Sequence, residues 1–206
     1  MRRPLAKRAL DLALLLPLVP LFGLLIGGLA LAVWIADGRP IFFRQPRVGV
    51  DGRPFQILKL RTMTTEADPK ARRPTRLGAR LRQRGLDELP QLVNVLRGDM
   101  SLVGPRPLTP ADAERLSAAH PPFRRRFAVP PGLTGLAQVC QALGPELTSE
   151  LDHAYVVRQS ARMDLAILLR TAWMNVVGKR RGKLRSHLPL VRGERRGGAA
   201  PQAVGP

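Results

Sequence analysis

LDELPQLVNVLRGDMSLVGPRPL, residues 86–108, is the stretch on which the reading of this chain turns. Leu89, Leu92, Val93 and Leu96 recur at helical spacing, so the segment reads as a helix with one apolar face. Asp87 stands where the N-cap belongs. Pro90 falls in the first turn, where its missing N–H has no partner to lose. Gly98 and Asp99 end the helix. The turn-rich Gly104-Pro105-Arg106-Pro107 follows shortly afterwards.

Adjacent carboxylates at a helix start, in an arginine-rich chain, suggest chemistry on a phosphate. A carboxylate can hold a phosphoryl group covalently, and such transfer needs little beyond positioning and charge stabilisation. If Asp87 caps the helix, the free N–H groups beside it attract phosphate oxygens and keep the carboxylate ionised. Glu88 then points elsewhere and is available to Mg²⁺, which takes one or two carboxylates and completes its shell with substrate phosphates. Pro105 and Pro107 stiffen the backbone around Arg106, as two-pronged guanidinium recognition of a phosphate requires. Lys59 and Arg61, with Arg80, Arg82 and Arg84, are further candidate phosphate contacts. A plainer alternative stays open: Asp87 only a cap, Glu88 a solvated acid and Arg106 a solvated turn residue.

The 206-residue chain carries a formal charge of +19, which implies an anionic partner such as a membrane surface, a phosphorylated substrate or nucleic acid. Aromatic residues are only 4% of the chain, too few for base-stacking platforms, so no nucleic-acid partner is expected. The single cysteine, Cys140, excludes an internal disulfide and points to a reducing compartment. The Arg124-Arg125-Arg126 run reads as a membrane-surface patch, and His120, His153 and His187 show no ligand spacing.

Residues 12–36 carry no charge over 25 positions, long enough to cross a bilayer core. The run is too long for a signal peptide. A straight span should leave basic residues mainly on one flank, yet here both flanks are basic. That symmetry favours a re-entrant helix with both ends on the cytoplasmic face. Pro17 and Pro20 interrupt its hydrogen-bond ladder and Gly23 adds local freedom. A straight span remains the alternative, because proline is tolerated in membrane helices.

Elsewhere, residues 41–61 read as a β-hairpin with Asp51-Gly52 as a two-residue turn. Residues 64–75 read as a surface loop, and Arg80 to Gly85 as a short basic helical turn. Residues 110–127 read as a helix interrupted by Pro121-Pro122, and residues 130–139 as a loop leading into a short apolar element. Residues 149–177 read as a helix burying Leu165, Ile167, Leu168 and Leu169. The fold class expected is α+β, helix-dominated: one catalytic domain (residues 39–185), an N-terminal re-entrant membrane helix (1–38), a small hairpin and a basic, disordered tail (186–206).

KRxxD at Lys7 to Asp11, the apolar run, GRPIFFRQPRVGVDGRPFQILKLRTM, the 86–108 stretch, PPGLTGLAQV and the Asp152…Tyr155 and Asp164-Leu165 region occur in that order. Together they resemble the bacterial sugar transferases, over about residues 5–178. The resemblance implies a monotopic phosphoglycosyl transferase on the cytoplasmic face of the bacterial inner membrane. It would move a phosphosugar from a UDP-sugar to undecaprenyl phosphate in a ping-pong reaction, with Mg²⁺ as cofactor. The resemblance maps the nucleophile onto Asp87, the Mg²⁺ ligand onto Glu88 and substrate phosphate contacts onto Lys59 and Arg106. Arg8 and Asp11 take a membrane-anchor role. Two departures stand out: the prolines precede the usual hinge position, which here is Gly23-Leu24, and Cys140-Gln141-Ala142 replaces a frequent Asn-Gly-Arg. A homo-oligomer is compatible with this reading. The rivals are an inactive family member serving as an assembly partner, and a membrane-anchored basic protein that binds lipid or nucleic acid without catalysis.

Overall fold

The computed structural model describes residues 5–68 and 70–177. The expected tail from residue 186 lies outside them. Helices dominate, and the two sheets have two strands each. The fold class read from the sequence, an α+β single domain, is the one observed.

The apolar run forms α1 (Leu5–Leu15) and α2 (Val19–Asp37), separated by one tight 3₁₀ turn at Leu16–Leu18. Pro17 lies at the start of that turn and Pro20 at the start of α2, positions where an absent N–H breaks no intrahelical bond. Gly23, read as part of the hinge, is instead inside α2. Residues 5–37 are the one helical stretch, among those described, long and apolar enough to cross a membrane.

Both ends of this stretch are fastened to the rest of the chain. At the first, Arg8 donates to the carbonyls of Val95 and Leu96, in the last turn of α4 (Gln91–Arg97), capping orphan acceptors at a helix C-terminus. Asp11 is buried and accepts from Ser101 Oγ (2.7 Å) and the Leu102 amide (3.2 Å). Lys7 lies 2.7 Å from Asp164. At the other end Val33 is fully buried and clusters with Leu60 and Leu81. Arg61 donates to the carbonyls of Asp37 and Gly38, and Thr75 Oγ1 donates to Asp37 (2.8 Å). Between these anchors Leu21 and Leu24 are exposed.

β1 (Phe42–Val48) and β2 (Pro54–Leu60) pair antiparallel, as the sequence predicts. The connection is not a two-residue turn. Gly49 N bonds Arg53 O (2.8 Å), and both Asp51 and Gly52 take positive φ within that five-residue loop. The expected short basic turn is a nine-residue helix, α3 (Arg76–Arg84), capped by Thr75, whose hydroxyl accepts from the Gly78 amide. α5 (Pro110–Ala119) gives way to a 3₁₀ stretch from Pro121 to Ala128, as Pro121-Pro122 predicts.

β3 (Ser101–Val103) and β4 (Gly132–Thr134) form a parallel pair that the loop reading of residues 130–139 missed. Each is too short to show alternation. Their approach needs glycine: a Cβ on Gly132 would sit 2.0 Å from the Gly104 nitrogen. α6 (Leu136–Val139) follows. The expected single helix over 149–177 is two, α7 (Pro145–Arg158) and α8 (Ala161–Val177). On α8 the buried side carries Met163, Asp164 and Ile167, whereas Leu165 and Leu169 are exposed. Lys7 and Tyr155 provide buried Asp164 with polar partners, so a charged residue turns inward while two leucines do not. The main core gathers Leu15, Ile57, Val95, Leu136, Tyr155 and Ile167 from six elements, with Met100 from the loop before β3.

Candidate active site

α3 ends at Gly85, whose positive φ (68°) turns the chain out of the helix and into a 3₁₀ turn, Leu86–Glu88. Asp87 therefore does not cap α4. It precedes that helix by four residues and is buried in the tight turn. Burial, and next the adjacent Glu88 charge, push its carboxyl above the ordinary aspartate range, against the opposing charges of Lys59 and Arg82. The expectation that Asp87 caps a helix is thus corrected, and its surroundings oppose its charged form instead of favouring it.

Glu88 is not turned away toward solvent. Its Oε1 accepts from Lys59 Nζ (2.6 Å) and Arg106 Nη2 (3.1 Å). Burial alone raises its carboxyl, but the Arg106 and Lys59 charges and hydrogen bonds outweigh burial and hold it below the ordinary glutamate range. Neighbouring acids are therefore driven in opposite directions, the pattern of paired carboxylates given different tasks.

Lys59 arrives from β2, Arg106 from the loop after β3, and Arg47 from β1. With Glu88 and Gln91 they line one hollow, walled further by Ile57, Pro107, Gly132 and Leu133. Three cations face one acid there, so the hollow is suited to an anion. The loop carrying Arg106 is held on successive residues. Gly104 N bonds Thr134 O (2.8 Å) and Pro105 O accepts from Gly132 N (2.9 Å). Arg106 O accepts from Arg126 (2.7 Å), Pro107 O from Arg47 Nη1 (3.1 Å) and Leu108 O from Val48 N (2.9 Å). The stiffness expected from Pro-Arg-Pro is thus reinforced by neighbouring segments, while the Arg106 side chain stays about half exposed.

Arg61 is not in this hollow; it is buried and spent on the end of α2. Arg80, Arg82 and Arg84 are exposed on α3, and Arg82 is close enough to Asp87 to act on it by charge. Arg126, read as part of a surface patch, is buried. It stacks 4.6 Å over Phe123 and lies 3.2 Å from buried Asp152. Arg47, Gln91 and Arg126 were not singled out as site residues. Their only sequence signal was proximity to the motifs, since long-range packing assigns their partners.

No cluster of three or more His, Cys, Asp or Glu occurs among the described residues. The Asp87-Glu88 pair fits a hard cation that takes one or two carboxylates and leaves its other positions to phosphates, because both groups are oxygen donors and their mutual repulsion is what a dication relieves.

The family model described as bacterial sugar transferase matches residues 2–178. The chain belongs to the bacterial sugar transferase family. It is 46% identical over 182 residues to a UDP-glucose:undecaprenyl-phosphate glucose-1-phosphate transferase of Caulobacter vibrioides, covering 81% of this chain and 68% of that protein. It is 41% identical over 173 residues to an uncharacterized sugar transferase of Bacillus subtilis, covering 80% and 84% respectively. A UDP-N-acetylgalactosamine-undecaprenyl-phosphate N-acetylgalactosaminephosphotransferase of Aeromonas hydrophila is 33% identical over 178 residues, with 80% of this chain and 42% of that protein covered. The matched residues take in both the apolar helix and the residues that line the hollow.

Proposed function

We propose that this family member is a phosphoglycosyl transferase that moves a phosphosugar from a UDP-sugar to undecaprenyl phosphate and so initiates surface glycan assembly. The relatives named for that reaction support it, as does the hollow's chemistry. The single observation that carries the reading is Glu88 held between Lys59 (2.6 Å) and Arg106 (3.1 Å), in a hollow that they line with Arg47, and directly following buried Asp87 in the chain.

The sequence of bonds follows. Ionised Asp87 attacks the sugar-linked phosphorus of the donor. The bond from that phosphorus to the bridging oxygen breaks, and UMP leaves with the electron pair. An oxygen of undecaprenyl phosphate then attacks the aspartyl-bound phosphorus and the Asp87 carboxylate is released. The product is undecaprenyl-diphospho-sugar. Arg106 and Lys59 hold phosphate oxygens and keep Glu88 ionised. Glu88 would hold Mg²⁺, which would supply neutralisation of phosphate charge.

The membrane placement follows the same logic. Arg8 and Asp11 fasten one end of the apolar stretch and Arg61 the other, to the domain that bears the hollow. This arrangement supports a re-entrant helix, broken at Pro17, with both ends on the cytoplasmic face of the inner membrane. The acceptor phosphate then reaches the hollow from the headgroup layer.

The test is UMP release from a panel of UDP-sugars by detergent-extracted protein with Mg²⁺ and undecaprenyl phosphate. Parent protein should turn over at least one sugar and show a phosphosugar adduct by intact mass. Asp87→Ala and Asp87→Asn should show neither. UMP release at parental rate by Asp87→Asn would overturn the covalent route. Lipid or polyanion binding with no turnover of any sugar would favour a non-catalytic member.

A further inference from the structure

Gln91 opens α4 and is 2% exposed. It lines the hollow, yet its Nε2 has no hydrogen-bond partner among the described residues. Arg47 lines the same hollow. Its Nη1 is spent on Pro107 O (3.1 Å) and its Nη2 on Gln45 Oε1 (2.6 Å), while its buried Nε has no partner among the described residues. Two buried donors without acceptors thus belong to residues that line one small space. A buried donor left unmade is costly, so such groups recur where a ligand completes them. Both are donors, and the cations Lys59 and Arg106 share the space. Lys59 and Arg106 already meet Glu88 Oε1 there, so the unanswered donors are Gln91 Nε2 and Arg47 Nε, and an acceptor-rich, negatively charged group suits them.

We propose that Gln91 Nε2 and Arg47 Nε are direct ligands of the donor's diphosphate. They would bind oxygens of the phosphate that leaves as UMP, while Arg106 and Lys59 serve the phosphate that Asp87 attacks. This assignment rests on the functional reading above and adds two binding residues to it. Arg106 and Lys59 converge on Glu88, next to Asp87, whereas Arg47 is held by Gln45 and Pro107. Gln91 suits this role because it adds a donor without adding charge beside the nucleophile.

The test uses full-length protein in detergent and reads ligand-induced thermal stabilisation and calorimetric affinity for UMP and for inorganic pyrophosphate. Methionine is close to glutamine in length and no smaller, so Gln91→Met removes the unpaired amide without opening a cavity. Ligand-free Gln91→Met should melt no lower than the parent, because it loses an unsatisfied buried group. Its affinity for both ligands should fall roughly ten- to hundred-fold, as for loss of a hydrogen bond to a charged group. A merely structural glutamine predicts the reverse: a lower melting temperature and unchanged affinity.

Arg47→Lys is the second variant. It keeps a positive charge but has no Nε–H donor, and it should also weaken both ligands. Weakened binding of the UDP-sugar by Gln91→Met, with UMP and pyrophosphate held as tightly as by the parent, would place Gln91 on the sugar and overturn the assignment. A parent that releases UMP from a UDP-sugar while Gln91→Met binds all three ligands normally overturns it as well. A parent that neither binds pyrophosphate nor releases UMP overturns the functional reading and this inference together.

Discussion

Asp87 works against its surroundings. Burial and Glu88 favour its protonated form, whereas nucleophilic attack needs the carboxylate. Ionisation is complete only above its raised pKa, so kcat/KM for UMP release should fall as pH drops, with a midpoint above the ordinary aspartate value of 3.8. Lys59 is the main charge opposing that rise, and Arg106 remains to keep Glu88 ionised without it. Lys59→Met should therefore move the acid limb to still higher pH, besides lowering the rate. A pH–rate profile of the two proteins, compared by midpoint rather than by height, checks this. An acid limb that stays put in Lys59→Met would separate Lys59 from the nucleophile.

Among the elements, the loop from Gly104 to Leu108 is the one whose shape decides the site. It is positioned by β4, by β1 and by buried Arg126, so changes outside the hollow should act through it. Arg126→Lys keeps a charge for Asp152 but loses the planar group that stacks on Phe123 and reaches the Arg106 carbonyl. It should cost roughly ten- to hundred-fold in kcat/KM, as misplacement of a phosphate-binding group does. In an Arg106→Ala background the same change should cost little. That non-additivity is measurable as a double-mutant cycle on UMP release. Gly132→Ala tests the strand pair itself. Its new methyl group meets the Gly104 backbone, and about 2 kcal/mol or more of stability should be lost in denaturant unfolding.

At the scale of the whole molecule, a domain with an excess of basic residues is tied to both ends of an apolar stretch whose middle is exposed. The re-entrant reading makes a topological prediction. In a Cys140→Ser background, Leu5→Cys and Arg39→Cys should both react with an impermeant thiol reagent only in inside-out vesicles. A straight span predicts opposite labelling of the two.

Several features were legible from neighbouring residues alone. Leu89, Leu92, Val93 and Leu96 signalled a helix, Asp51-Gly52 a hairpin, Pro17 a break and Pro121-Pro122 another, because each acts within a few positions along the chain. The Asp87-Glu88 pair and Arg106 were legible as candidates for the same reason. Their roles toward one another were not. Lys59 and Glu88 are 29 positions apart, and Glu88 and Arg106 are 18 apart. Which cation meets which acid depends on how β2, the 3₁₀ turn and the loop after β3 pack. Arg61 and Arg126 show the same limit: one reads as a phosphate contact and the other as part of a membrane-surface patch, and only packing assigns the first to the end of α2 and the second to the Arg106 loop. The sequence by itself determined the apolar stretch, the hairpin and the chemistry on offer, since those follow from local periodicity, turn geometry and side-chain type. Only the tertiary structure decided where Asp87 sits relative to a helix, which charges surround it and which donors remain unspent, since desolvation and ion pairing are set by segments distant in the chain.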